Sequence, residues 1–288
     1  MQTQSATPPR LVAAGLAFGE SPRWHGGRLW VCNWGTGEIV AVNARGKSEV
    51  MLTVPAVLPY SIDWLPDGRL LVVSGREGLL LRQEADGRLV THADLRPLSK
   101  SPWNEIVVDG RGNIYVNGGG PAPAPGQHFG PGAIVLVAPD GAIRQMAEDI
   151  AFANGMAVTP DNKTLIVAES HASRLTAFDI AADGSLANRR VWADLDGFPD
   201  GICLDAEGAA WYADVPNKHC VRVREGGEVL QTINVDRGCF ACMLGGADRQ
   251  TLFIVAAEWR GFEHMISDAR TGQVLSTDVP APGAGWPG

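Results

Sequence analysis

The chain has 288 residues, 45% of them hydrophobic and 19% charged, with a formal net charge of −8. That is globular composition, with enough chain to bury a large core, and the negative balance argues against nucleic acid or an anionic membrane surface as partner. No apolar run approaches the ~18 residues of a membrane span, and the polar, Pro-rich start lacks the basic and apolar regions of a signal peptide, so the expected location is cytoplasmic.

Residues 1–8 are expected to be disordered, and residues 9–17 to form a strand. Beyond them, Gly/Asp turn signals recur in two series. The first holds His25-Gly26-Gly27, Pro66-Asp67-Gly68, Asp109-Gly110, Pro160-Asp161-Asn162, Asp205-Ala206-Glu207-Gly208 and Ala247-Asp248. The second holds Asn43 to Gly46, Asp86-Gly87, Asp140-Gly141, Asp183-Gly184, Gly226-Gly227 and Asp268 to Gly272. Members of a series are mostly about 42–45 residues apart. Between the turns lie short β-branched and aromatic runs, such as Leu29-Trp30-Val31, Ile114-Tyr115-Val116 and Leu252-Phe253-Ile254-Val255. These are strand signals, and no stretch has sustained helical periodicity.

Two turns per repeat imply four antiparallel strands per repeat. Six such repeats predict an all-β, six-bladed β-propeller forming one domain over residues 1–288. The strand over residues 9–17 is expected to join the last blade and close the ring. Residues 117–132, rich in Gly and Pro, read as an inserted loop over the functional face.

Five or six residues before each turn of the first series stand Glu20, Tyr60, Asn104, Asn154, Asp200 and Cys242. This position marks the start of the innermost strand, so the six side chains should converge at one end of the channel. Four offer oxygen. Asp and Asn before strands are also ordinary turn formers, but four in register suggest a ligand ring. Two carboxylates with two amides suit one divalent cation, and all-oxygen ligation favours Ca²⁺, with Mg²⁺ or Mn²⁺ next and Zn²⁺ or Fe less suited.

These residues lie in motifs: Gly19-Glu20-Ser21-Pro22-Arg23-Trp24, Asn154-Gly155-Met156, Pro199-Asp200-Gly201 and the late Gly245-Gly246. Together they resemble the senescence marker protein/gluconolactonase (regucalcin-like) family over roughly residues 15 to 260. The resemblance implies a propeller that hydrolyses lactones with a bound divalent metal. It makes Glu20, Asn154 and Asp200 metal ligands, with Asn104 completing the metal shell or contacting substrate. It also makes Asp200 the catalytic general base or nucleophile. Sugar-lactone members tend to carry Arg two residues before the Asn104 equivalent; here Pro102 stands there, followed by Trp103. With Phe152 and Phe198, this leaves room for a less polar lactone or ester. Trp103, Tyr60 and His128 complete the expected substrate-binding set.

The expected function is therefore metal-dependent opening of a small-molecule lactone by a monomer or homodimer. Two alternatives use the same channel: a phosphotriesterase-type hydrolase, and a non-catalytic ligand-binding propeller. There is no Gly-x-Ser-x-Gly elbow for a serine hydrolase. The odd total of five cysteines, including Cys239 and Cys242 in a CxxC, reads as buried reduced thiol.

Overall fold

The computed structural model describes residues 8–43, 45–56, 58–118, 120, 130–261 and 269–288. These form six small antiparallel sheets arranged as a six-bladed β-propeller, with one 3₁₀ turn at Ser170–Ala172 as the sole helical element among them. No helix among the described residues is long and apolar enough to cross a membrane.

Strand β1 (Arg10–Leu16) precedes the first blade, which is β2 (Phe18–His25), β3 (Arg28–Trp34), β4 (Glu38–Val42) and β5 (Ser48–Thr53). The second blade is β6 (Tyr60–Trp64), β7 (Leu70–Ser74), β8 (Leu79–Gln83) and β9 (Leu89–Asp94). The third is β10 (Trp103–Val108), β11 (Ile114–Gly118), β12 (Gly132–Val137) and β13 (Ile143–Ile150). The fourth is β14 (Ala153–Val158), β15 (Thr164–Glu169), β16 (Arg174–Ile180) and β17 (Leu186–Asp194). The fifth is β18 (Pro199–Asp205), β19 (Ala210–Asp214), β20 (His219–Val223) and β21 (Val229–Asn234). The sixth is β22 (Gly238–Gly245), β23 (Thr251–Ala257) and β24 (Gly272–Asp278), with β1 as its outermost strand.

The β1–β24 pairing joins the two ends of the ring, and Arg10 Nε donates to Ser276 Oγ across it at 3.1 Å. This covers what would be an open edge on both strands. The core lies between neighbouring sheets. Val107 and Tyr115 of the third blade, for example, pack in one cluster with Met156, Val158 and Leu165 of the fourth. Each central strand is apolar along nearly its whole length because both of its faces are covered.

The inner strands lie very close to one another, and glycine permits it. A Cβ on Gly155 would stand 2.6 Å from Asp200 O and Ile202 N of the next blade, and one on Gly245 would stand 2.5 Å from the Trp24 ring. Several glycines of the sequence motifs are thus where one blade meets another.

Two features differ from the sequence reading. The interval at 117–132 is narrower, because Asn117 and Gly118 pair with Ile134 and Ala133 and extend β11 and β12. Residues 121–129, with His128, lie outside the described residues. The C-terminal tail also has an unforeseen course. β25 (Gly283–Ala284) adds to the inner edge of β18, making the fifth sheet five-stranded. Trp286 then exchanges backbone hydrogen bonds with Val158 of the fourth blade, at 2.7 and 2.8 Å. The tail therefore crosses between two inner strands at the end of the channel away from Asn154 and Asp200.

Candidate active site

The opposite end opens into a cavity of about 450 Å³, within the usual range for small-molecule sites. Glu20, Asn104, Asn154 and Asp200 all line it. A local irregularity of the inner strands accompanies this. Pairing with the second strand shifts register between Glu20 and Arg23, Trp103 and Ile106, Ala153 and Met156, and Pro199 and Ile202. Asn104, Asn154 and Asp200 are residues inside such bulges, and Glu20 borders one. A bulge re-aims a side chain that regular pairing would fix.

Tyr60 requires a correction. β6 pairs with β7 without a register shift, and Tyr60 is 0% exposed in the core. Its hydroxyl donates to Asn33 O at 2.6 Å and Glu38 O at 3.0 Å in the first blade. It is not among the cavity-lining residues. Trp103 is likewise 1% exposed and packed among Val73, Leu95 and Val116. The register shift between Trp103 and Ile106 lets both of them enter one core cluster while Asn104, between them, lines the cavity. Cys242 is buried, and from the sixth blade it is Phe240, next to the register shift between Cys239 and Ala241, that lines the cavity. The other cysteines are also free and buried.

Beneath the cavity lies a second polar layer. Glu105, directly after Asn104, is buried; its Oε1 accepts from Arg23 Nη2 at 2.8 Å and from Ser21 Oγ at 3.0 Å. Arg23 Nη2 also donates to Ile106 O at 2.7 Å. Asn117 links neighbouring inner strands: its Oδ1 accepts from Glu105 N at 3.2 Å and its Nδ2 donates to Asn154 O at 2.6 Å. Ser170 lines the cavity and donates to Pro199 O at 2.7 Å, bracing the start of β18. The sequence held weak signals for this layer: Arg23 lies in the Glu20 motif, and Glu105 adjoins Asn104. Their pairing joins residues 82 positions apart, which local pattern does not reveal.

The two cavity carboxylates are electrostatically frustrated. Burial pushes Glu20 well above the usual carboxylate range, and the charges of Asp200 and Glu105 push it further. Burial also raises Asp200, with Glu105 adding to the effect and the Asn154 amide opposing it. Asp200 Oδ1 is buried without a hydrogen-bond partner, which is costly for a carboxylate oxygen. Below them Asp63, pushed up by burial and pulled down by Arg23, reaches about 6.

Among the described residues, no three His, Cys, Asp or Glu side chains are grouped to hold a metal ion. The set at the cavity is two carboxylates with two amides. An orphaned carboxylate oxygen beside a second buried carboxylate is nonetheless the environment that a divalent cation relieves, and the oxygen donors fit a hard cation. The rest of the wall is mainly apolar: Trp34, Phe152, Phe198, Phe240 and Trp259 contribute rings. His171 also lines it, stacked on Phe152 with centroids 4.5 Å apart.

Residues 18–258 match the family described as the SMP-30/Gluconolactonase/LRE-like region. The chain belongs to this family. It is 26% identical over 281 residues to a 6-deoxy-6-sulfogluconolactonase of Pseudomonas putida, covering 94% of each chain. A shorter match to a Regucalcin of Xenopus laevis is 29% identical over 133 residues, 44% of each chain. Among solved structures, a regucalcin of Agrobacterium tumefaciens superposes with a TM-score of 0.80 at 21% identity, covering 96% of this chain and 95% of that one. That likeness is one of fold.

Proposed function

We propose that this chain is a divalent-metal-dependent lactonase whose substrates are less polar than sugar lactones. Family membership and the similarity to 6-deoxy-6-sulfogluconolactonase over nearly the whole chain support the lactonase class. The observation that carries the site is the orphaned Asp200 Oδ1, beside Glu20, on the wall of a largely apolar cavity.

In this reading Glu20, Asn104, Asn154 and Asp200 hold the cation, with Ca²⁺ preferred for an all-oxygen set. When bound, the cation supplies positive charge that offsets the negative charge developing on the lactone carbonyl oxygen. Asp200 is the general base: it takes a proton from the water that attacks the carbonyl carbon. The bond from that carbon to the ring oxygen breaks, the ring oxygen takes up a proton, and a hydroxy acid results. A cation beside Asp200 would favour its ionised carboxylate, the form that can accept the proton. Asn154 orients the Asp200 carboxylate. The apolar rings exclude water from the substrate body. Five free cysteines accord with a reducing, cytoplasmic setting.

The test is hydrolysis of aldonolactones, alkyl γ- and δ-lactones and an aryl lactone, each after chelation and after restoring Ca²⁺, Mn²⁺, Mg²⁺ or Zn²⁺. Metal-restored turnover, with alkyl or aryl lactones preferred, is expected. Folded protein that turns over no lactone with any of these cations would refute the reading.

A further inference from the structure

Among the described cavity-lining residues, Arg76 is the sole Arg or Lys. It sits in the turn between β7 and β8, and that turn is held on both sides. Gly75 N donates to Pro59 O at 3.0 Å, and Gly75 O accepts from Trp103 N at 3.1 Å. Pro59, like Arg76, lines the cavity. A Cβ on Gly75 would stand 2.8 Å from Pro59 O, so the turn lies tight against the wall. The adjacent acid does not neutralise Arg76: Glu77 Oε2 is engaged by Ser74 Oγ at 2.6 Å. Arg76 makes no hydrogen bond or ion pair with any described residue, whereas most other arginines of the chain are paired with an acid.

The cavity is thus electrically polarised, with buried carboxylates Glu20 and Asp200 on one part of the wall and an unpaired guanidinium on another. Apolar rings make up most of the remainder. An anion is attracted by the guanidinium, whose fork can bond both oxygens of a carboxylate at once. We infer that Arg76 binds a carboxylate on the substrate, so that the favoured lactones carry an acidic side chain on an otherwise apolar body. Resting on the lactonase reading, this narrows the substrate class and gives the cavity a direction. The acidic side chain lies at Arg76, and the neutral ester group turns toward Asp200.

The experiment compares a γ-lactone bearing a carboxymethyl group with its matching neutral amide. Wild type, Arg76→Gln and Arg76→Lys are assayed with metal present, alongside Arg88→Gln as a surface-charge control; Arg88 pairs with Asp86 in an exposed turn outside the cavity. Wild type should favour the acid in kcat/KM. Arg76→Gln should reduce that preference about tenfold, mainly through KM, near the lower end of what a hydrogen bond to a charged group contributes. Arg76→Lys should restore part of it, and Arg88→Gln should leave it intact. Rising salt should erode the wild-type preference. Equal treatment of acid and amide by wild type, or a preference that survives Arg76→Gln, overturns the inference while leaving the lactonase reading standing. Hydrolysis of neither compound, nor of any other lactone, overturns both.

Discussion

Strand β18 carries two aspartates, one at each end of the channel, in opposite circumstances. Asp205 is buried and fully engaged: it accepts from Glu207 N at 2.9 Å, Ala209 N at 3.1 Å and Arg222 Nε at 2.7 Å. Asp200 is buried with Oδ1 unpartnered, and burial, with the charges of Glu105 and Asp214, raises its pKa. One strand therefore holds an acid that ties a turn to its blade and an acid left exposed to repulsion. The first contributes stability. The second lowers it, the common condition of a group retained for chemistry.

The largest expected effect follows from that contrast. Asp200→Asn should reduce lactone hydrolysis by about 10²–10⁴-fold, the range for loss of a positioned acid–base group. Its thermal midpoint without metal should be no lower than wild type's. A variant that keeps full turnover would remove Asp200 from the mechanism. Asp205→Ala should do the reverse. Cooperative unfolding in urea should show a loss of about 3 kcal/mol, because the buried Arg222 loses a partner, while metal-restored turnover per folded molecule stays near wild type.

Glu169 sharpens the comparison through pH. Burial raises this acid, but hydrogen bonds from Ala151 N and Thr176 Oγ1 and the Arg174 charge outweigh burial and hold it below its ordinary value. Its folded pKa is therefore depressed, so its stabilisation is present above the unfolded value near 4.5 and is lost as pH falls through the folded value. Glu169→Gln should cost about 2 kcal/mol at pH 7. The gap from wild type should narrow as denaturation is followed below about pH 4. A gap constant with pH would mean that the carboxylate charge contributes nothing.

The smallest effect is expected at Tyr60. Tyr60→Phe should destabilise by about 1 kcal/mol through loss of the hydroxyl's bonds to two carbonyls, with KM for lactones unaltered. A KM shift without a stability change would return Tyr60 to the substrate site.

The contrast between Tyr60 and Asp200 also marks how far the sequence could be read. Turn spacing and short β-branched runs sufficed for six blades, because every repeat must solve the same packing problem. The same spacing aligned Glu20, Asn104, Asn154 and Asp200. It aligned Tyr60 equally well, and there it misled, since a one-residue bulge decides whether a side chain meets the cavity and spacing cannot register a bulge. Trp103 misled for the same reason: the register shift between Trp103 and Ile106 puts both in one core cluster, which regular alternation would not. The Arg23–Glu105 pair and the course of the tail through β25 to Trp286 depend on contacts between distant segments, which leave no periodic trace.

The central claim is that the frustrated pair Glu20 and Asp200 belongs to a divalent-cation site. Calorimetric titration of Ca²⁺ into chelated protein tests it most directly. The account predicts saturation at one cation per chain in wild type, and loss of that binding in the folded Glu20→Gln/Asp200→Asn double variant. Absence of heat with Ca²⁺, Mn²⁺ and Mg²⁺ alike, or undiminished binding in the double variant, would contradict it.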